Sequence, residues 1–232
     1  MPAYNEAARL GIVIGDLFRA APGTPLLVVD DGSRDGTAEA ARAAGAAVVA
    51  HPFNLGYGAA LQTGYRYALR AGFARVIQMD ADGQHDPGSL ERIVAALDEG
   101  ADLVLGSRFL DLTSYRPPLA RRAGMGLFRT LAAILLRRRL SDVTTGYQGL
   151  SRRLVDFYDR RGIFPPDYPD ANIIVRAVRA GFRLSEVPAR MADNPAGGSI
   201  HVGLKPVAYV FKMVFALLVE AGRRLPAPEA RG

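Results

Sequence analysis

Short apolar runs, each ending on polar or glycine-containing turns, set the rhythm of the first two-thirds of the chain. Leu26-Leu27-Val28-Val29 enters Asp30-Asp31-Gly32-Ser33, the pattern of a strand stopped by a polar turn. Thr37 to Ala44 is Ala-rich and reads as a helix, and Ala46 to Ala50 as the next strand. Gly58 to Ala71 is a predicted helix, followed by Arg75-Val76-Ile77-Gln78-Met79, a strand that ends on Asp80. Ser89 to Leu97 has helical periodicity, and Asp102-Leu103-Val104-Leu105 is a strand running into Gly106-Ser107-Arg108. Such alternation predicts an α/β fold whose largely parallel sheet is covered by helices. In sheets of this kind ligands bind beyond the carboxyl ends of the strands, and the polar clusters of this chain fall at those ends.

Two later segments are more apolar. Arg121 to Leu140 is a predicted helix holding Met125, Leu127, Phe128, Leu131, Ile134, Leu135 and Leu136, bracketed by arginines at 121, 122, 137, 138 and 139. Its uncharged core is shorter than the roughly 20 residues a bilayer span takes. It suits a membrane interface, with the arginines reaching headgroups, or the face of the sheet. Pro206 to Val219 is apolar apart from Lys212 and opens with proline at a first-turn position. Docking on the domain, on a second subunit or on lipid would each suit it. Arg223 and Arg224 follow, then a Pro/Ala/Glu tail expected to be disordered. The expected division is a main domain over 1–205, with 116–140 as candidate membrane-interface segment, a C-terminal apolar helix over 206–224, and the tail 225–232.

At the other end, Pro2-Ala3-Tyr4-Asn5-Glu6 reads as a loop that should follow a strand, so the first strand is expected to be truncated. A fuller strand would bury about three more side chains at roughly 1.5–3 kcal/mol each. A short Val/Ile-rich run upstream in the reading frame is therefore expected.

Composition narrows the chemistry. With 49% hydrophobic and 22% charged residues in 232, the chain has an ordinary globular make-up. A formal charge of +6 suits polyanionic or membrane-surface partners, and nucleic acid is not among those expected. The absence of cysteine excludes disulfides, thiolate metal sites and a thiol nucleophile. Three histidines without ligand spacing argue against zinc. No continuous apolar stretch near the N-terminus reads as a signal peptide, so the cytoplasmic side is the expected location.

Asp80-Ala81-Asp82-Gly83-Gln84-His85-Asp86-Pro87 leaves a strand with carboxylates at i and i+2. That spacing on a turn lets two hard oxygen ligands converge on Mg²⁺ or Mn²⁺ while open positions remain for substrate phosphates. Asp30-Asp31-Gly32-Ser33-Arg34-Asp35-Gly36-Thr37 offers carboxylates for a base or ribose, with Asp35 or Thr37 expected to cap the next helix. Asn54-Leu55-Gly56-Tyr57-Gly58 matches neither the dinucleotide fingerprint nor the P-loop.

Taken in order, Pro2-Ala3-Tyr4-Asn5-Glu6, Val29-Asp30-Asp31-Gly32-Ser33, Asn54-x-Gly56-x-Gly58, Asp80-Ala81-Asp82-x-Gln84 and Gly106-Ser107-Arg108 resemble family 2 glycosyltransferases. The branch they resemble is that of the dolichol-phosphate mannose synthases and other polyprenyl-phosphate glycosyltransferases. A weaker likeness runs through Asp142–Gln148 and Glu186–Ser199, so it covers nearly the whole chain. The resemblance implies a GT-A (Rossmann-like), mostly parallel α/β sheet flanked by helices, with apolar helices at the C-terminal end. It implies a nucleotide-sugar site of Pro2, Tyr4, Asn5, Glu6, Val29, Asp31, Asp80, Ala81 and Asp82, with Ser199 and Lys205 closing over the diphosphate. Asp80, Asp82 and Gln84 would hold Mg²⁺ or Mn²⁺. Asp142, Asp82 and Arg108 are the implied catalytic residues, and Arg108, Arg121 and Arg122 the implied acceptor contacts. The implied partners are a GDP- or UDP-linked sugar, a polyprenyl phosphate and the membrane surface, with a peripheral location at its inner face and a homo-oligomer possible.

The chain departs from many relatives where Gly146-Tyr147-Gln148 replaces Gly-Phe-Arg, and where Met191-Ala192-Asp193-Asn194-Pro195 lacks an arginine. Arg121, Arg122, Arg152 or Arg153 would have to supply the missing cations. An inverting displacement onto a lipid phosphate needs no strong base, whereas a hydroxyl acceptor does, with Asp142 first candidate and Asp170 second. A non-catalytic membrane-binding scaffold is the reading of another class; the intact Asp80/Asp82 pair speaks against it.

Overall fold

The computed structural model describes residues 1–110, 119–160, 162–165, 169–191 and 205–223, and at 119–123 and 205–209 the backbone alone. Seven strands among these residues form two sheets. In the first, β1 (Pro2–Ala3), β2 (Leu27–Asp30) and β3 (Ala47–Ala50) run parallel in that order. In the second the order is β4 (Arg75–Gln78), β6 (Gln148–Ser151), β5 (Leu103–Ser107), β7 (Leu184–Pro188). There β6 runs antiparallel to both neighbours and β5 runs parallel to β7. The parallel expectation thus holds for the first sheet and for β5/β7, but not around β6. Pro2-Ala3, expected as loop, is itself a strand: the Val29 amide donates to Met1 O and the Asp31 amide to Ala3 O, each at 2.9 Å.

Helices cover both faces. On α1 (Ala7–Ala20), Leu10, Val13, Ile14 and Leu17 recur at helical spacing and form one buried stripe. It is followed by α2 (Thr37–Ala43), α3 (Tyr57–Arg70), a single 3₁₀ turn (Pro87–Ser89), α4 (Leu90–Asp98), α5 (Leu119–Leu136), α6 (Arg152–Asp159), α7 (Ala171–Arg179) and α8 (Lys205–Gly222). The two-residue period of β5 divides the core. Leu103 and Leu105 point to a cluster with Phe128, Leu154, Ile174 and Leu217, while Val104 points to one with Ile93, Leu97 and Tyr147.

The two apolar helices pack by one face each. Met125, Phe128 and Ala132 of α5 are buried, whereas Leu127 and Ile134 are exposed. On α8, Met213, Leu217 and Glu220 are buried, and Phe211, Phe215 and Leu218 are exposed. Of the three dockings open to the sequence, the structure shows α8 on the domain, against α5 and α7. Arg176 of α7 donates through Nε to Glu220 Oε2 at 3.0 Å, both side chains being buried. No helix among the described residues is long and apolar enough to cross a membrane.

Asp102, just before β5, gathers Arg153 (2.7 Å), Ser151 Oγ (3.0 Å) and the Arg183 amide (2.9 Å). Burial alone would raise its pKa, but hydrogen bonds from Arg153, the Arg183 amide and Ser151 outweigh it and hold the carboxyl below the usual range. A depressed folded pKa stabilises the fold above the unfolded value of about 3.9, and that contribution is lost as pH falls through the folded value. Urea unfolding should therefore show a gap between the wild type and Asp102→Asn that is full at pH 6 and closes below about pH 4. A gap that stays constant to pH 2 would remove the clasp from the account.

Candidate functional site

The loops that leave β1 and β2 are stitched to each other. Asn5, at φ +56, accepts the Arg34 amide on Oδ1 (3.0 Å), and its own amide donates to Ser33 Oγ (2.9 Å). Asp35 accepts the amides of Ala7 and Thr37, both at 3.1 Å, and the Glu6 amide donates to Thr37 Oγ1 at 2.9 Å. The expected caps of α2 therefore also serve the start of α1. Slight burial tends to raise the Asp35 pKa, but the hydrogen bonds from Thr37 and Ala7 prevail and lower it. Glu6 is shifted upward, by burial first, with Asp82 and Asp35 adding and Arg9 opposing. Glu6 thus faces the end of β4 across the crevice. Tyr4 is exposed, while Pro2, Val29 and Ala81 are buried and act as wall.

Asp31 is committed to the fold. Its Oδ1 meets the Leu55 amide (2.8 Å) and His51 Nδ1 (2.7 Å), and its Oδ2 meets the Gly56 amide (2.9 Å). The other nitrogen of His51 lies 2.8 Å from Thr63 Oγ1. Gly32, at φ +73, lets this loop close up, since a Cβ there would come within 2.5 Å of the Phe53 backbone. The carboxylate read as a ribose ligand also clasps the 51–56 loop.

At the end of β4, Asp80 Oδ1 accepts from the Tyr57 hydroxyl (2.8 Å), and its amide donates to His85 Nδ1 (3.0 Å). Gln78 extends the network, accepting from Tyr65 (2.7 Å) and donating to Tyr57 (3.1 Å) and Gly146 O (3.0 Å). Gly146 must be glycine, because a Cβ would collide with the Asp80 carboxylate. Asp82 is half-buried and accepts the Gln84 amide on Oδ1 (2.9 Å). Buried His85 stacks on Tyr147 with centroids 4.9 Å apart. Burial lowers its pKa; the charges of Asp80, Asp82 and Asp142 oppose this and Arg108 adds to it. As Nδ1 is the acceptor, the neutral ring carries its proton on Nε2, 3.7 Å from Asp80 Oδ2.

At the end of β5, Arg108 and Asp142 form a bidentate pair of 2.6 and 2.7 Å, and Arg108 also donates to Thr144 Oγ1 (2.8 Å). The two side chains are 5% and 0% exposed. Glu186 on β7 accepts the Ser141 amide (2.8 Å) and the Asp142 amide (3.2 Å), fixing the turn that presents Asp142. Asp142 therefore does not stand open as a base, because both of its oxygens face a guanidinium.

The strand ends thus bring together Glu6, Asp80, Asp82, Arg108 and Asp142. Arg152 and Arg153 are not with them: Arg153 is held by Asp102 at the opposite end of β5, and Arg152 donates to Phe73 O (3.2 Å) and Leu69 O (3.3 Å). Asp170 opens α7, where its charge reaches Tyr57. Ser199 lies outside the described residues, as do the side chains of Arg121, Arg122 and Lys205 and the tail 225–232. Tyr57, Gln78, His85 and Glu186 were assigned no role from sequence. The signal for His85 was its place within the Asp80–Pro87 turn, and for Tyr57 its place after a glycine at a helix start.

Among the described residues no three His, Cys, Asp or Glu side chains converge on a point. Asp80 and Asp82 nonetheless fit a hard cation that completes its shell with phosphate oxygens and water. Each keeps an Oδ2 that accepts no hydrogen bond closer than 3.5 Å among these contacts.

Residues 1–158 match the family described as Glycosyl transferase family 2. Polyprenol monophosphomannose synthase of Mycolicibacterium smegmatis is 32% identical over 240 residues, covering 100% of this chain and 89% of that protein. Undecaprenyl-phosphate mannosyltransferase of Micrococcus luteus is 32% identical over 208 residues, covering 86% and 84%. Among solved structures, glucosyl-3-phosphoglycerate synthase from Mycobacterium tuberculosis, in complex with Mn²⁺, uridine diphosphate and phosphoglyceric acid, superposes with a TM-score of 0.69. That match has 22% identity and covers 99% of this chain and 78% of the other, and it is a likeness of fold.

Proposed function

Because this chain belongs to glycosyl transferase family 2, we propose that it transfers a hexose from a GDP- or UDP-linked sugar to a polyprenyl phosphate. It is a glycosyltransferase of the GT-A fold. The lipid acceptor is supported by the two relatives above, whose names specify polyprenol and undecaprenyl phosphate products or acceptors. The geometric observation that carries it is the burial of Asp142 under Arg108. A hydroxyl acceptor must be deprotonated, and both oxygens of Asp142 already accept from a guanidinium, at 2.6 and 2.7 Å. A phosphate oxygen is already anionic and needs orientation instead.

In this mechanism the loops of Tyr4–Glu6 and Asp30–Thr37 flank the base and ribose, and Glu6 accepts from ribose hydroxyls. Asp80, Asp82 and Gln84 would hold Mg²⁺ or Mn²⁺, which when bound supplies positive charge as the sugar–phosphate bond breaks. Tyr57 keeps the Asp80 carboxylate in one orientation, His85 holds the Asp80 backbone, and Asp142 with Thr144 keeps Arg108 in one pose. The acceptor oxygen forms its bond to the anomeric carbon from the face opposite the nucleotide. The bond to the diphosphate breaks, the nucleoside diphosphate leaves, and the configuration inverts. A peripheral place at the inner membrane face belongs to the same proposal, supported by the apolar surface of Leu127, Ile134, Phe211 and Phe215.

The test is a donor screen with GDP-mannose, UDP-glucose and UDP-N-acetylglucosamine, with Mn²⁺, with and without a polyprenyl phosphate. Metal-dependent transfer to the lipid is the expected result. Metal-dependent nucleotide binding with transfer only to soluble hydroxyls would overturn the acceptor, and no nucleotide binding would overturn the whole reading.

A further inference from the structure

Two carboxylates stand side by side at the end of β2, and the fold treats them differently. Successive side chains there point to opposite faces. Three donors already converge on Asp31, the Leu55 and Gly56 amides and His51. Asp30 is 5% exposed and accepts one described hydrogen bond, from the Ser33 amide to Oδ1 at 3.0 Å. Its Oδ2 has no partner among the described residues. Buried polar groups are nearly always hydrogen-bonded, and a buried carboxylate short of donors is unfavourable.

Asp30 lines a hollow of about 370 Å³ between the turn after β2 and the turn after β3, a volume typical of small-molecule sites. No fully occluded side-chain oxygen among the described residues lacks a partner, so Oδ2 opens to this hollow. Tyr4 and Phe53, 47% and 64% exposed, line it together with Asn54. Arg34 and Arg42 line it from the side of α2, Arg42 lying 3.7 Å from Glu39. The mixture selects the kind of guest. Two guanidinium groups disfavour a metal cation, and the carboxylate disfavours a simple anion. A flat neutral ring with an N–H beside a carbonyl suits both, and exposed aromatic rings suit its faces. Asn5 ties the Tyr4 loop to Ser33 and Arg34, so the hollow adjoins the crevice that holds Asp80 and Asp82.

We propose that Asp30 reads the nucleobase of the donor: its open oxygen accepts the ring N–H of uracil or guanine, which cytosine and adenine lack. The inference rests on the nucleotide-sugar reading and adds the residue that selects the class of base. Arg34 donates to the adjacent ring carbonyl, and Tyr4 and Phe53 cover the ring. Asn54 does not choose between uracil and guanine, since a side-chain amide turns to offer either a donor or an acceptor. The Ser33 amide fixes how an amide would sit in place of Asp30. In Asp30→Asn the side-chain oxygen must face that donor, which leaves the NH₂ facing the hollow. The variant thus offers a donor where wild type offers an acceptor. Its preference should pass to the unprotonated ring nitrogen of cytosine or adenine.

Calorimetric titration of the full chain with UDP, CDP, GDP and ADP, each with Mn²⁺, is the experiment. A hydrogen bond to a charged group, made or lost, changes affinity roughly 10- to 100-fold. Wild type should prefer UDP to CDP, or GDP to ADP, by that factor. Asp30→Asn should invert the order while melting close to wild type. Phe53→Ala, at an exposed position, should weaken every nucleotide about tenfold and leave the order unchanged. Equal binding of the oxo and amino bases by wild type would overturn the proposal, whether or not any variant folds. So would the wild-type order persisting in a folded Asp30→Asn. Either result would leave the glycosyltransferase reading standing, whereas binding of no nucleotide would sink that reading along with this one.

Discussion

Alanine at Asp82 should lower sugar transfer by about a thousandfold or more while leaving the fold nearly unchanged. The side chain is half-buried and its one described contact, from the Gln84 amide, lies within its own turn. Little packing is lost on truncation. Charge stabilisation at a leaving diphosphate is worth several kcal/mol, and about 1.4 kcal/mol corresponds to each factor of ten in rate. Steady-state transfer across a Mn²⁺ titration, beside a thermal melt, separates the two effects. Wild-type turnover in the variant would remove Asp82 from the site. Asp80 is expected to behave differently, because it also anchors Tyr57 and is packed against Gly146. Its replacement should affect melting and turnover together.

Breaking the Arg108–Asp142 pair should produce the largest loss of stability. Removing one member of a buried ion pair leaves the other charge unpaired and costs about 3–5 kcal/mol, a large part of the 5–15 kcal/mol that holds a typical domain. Arg108→Ala and Asp142→Ala should each show it in urea unfolding. The double Arg108→Met/Asp142→Leu, which removes both charges and keeps volume, should recover most of it. All three should lose transfer. If Asp142→Asn kept full stability but lost turnover with hydroxyl acceptors alone, the base role would return.

The apolar strands and helices from Leu26 to Leu105, and the apolar helices α5 and α8, were legible in the sequence, their ends moving by up to four residues. β1 was read as loop, and α1, β6, α6, α7 and β7 were not read, although α1 and α7 carry Ile/Val runs. Gln148–Ser151 is polar and glycine-bearing, so nothing in its composition announces a buried antiparallel strand between β4 and β5. The charged residues at the ends of β2, β4 and β5 were identified by position, but partners such as His51, Tyr57 and Asp142 were not, since they lie 20 to 34 residues away. Asp31 and Asp142 show the limit most clearly. From sequence each is a carboxylate beside a crevice, and only the folded chain shows that amides and His51 occupy one and Arg108 the other. The same limit applied to Arg153, whose basic character was plain and whose partner Asp102 faces away from the site.

The Arg176–Glu220 contact bears on where α8 sits along its groove. Its buried side is a run of Val, Met and Leu, and such side chains tolerate sliding past one another with small changes in burial. A slide by one turn, about 5.4 Å, would carry Glu220 out of reach of Arg176 and leave two charges stranded in the interior. Charge therefore sets the axial register that apolar packing leaves loose. With that register goes the place at which the backbone enters the helix at Lys205.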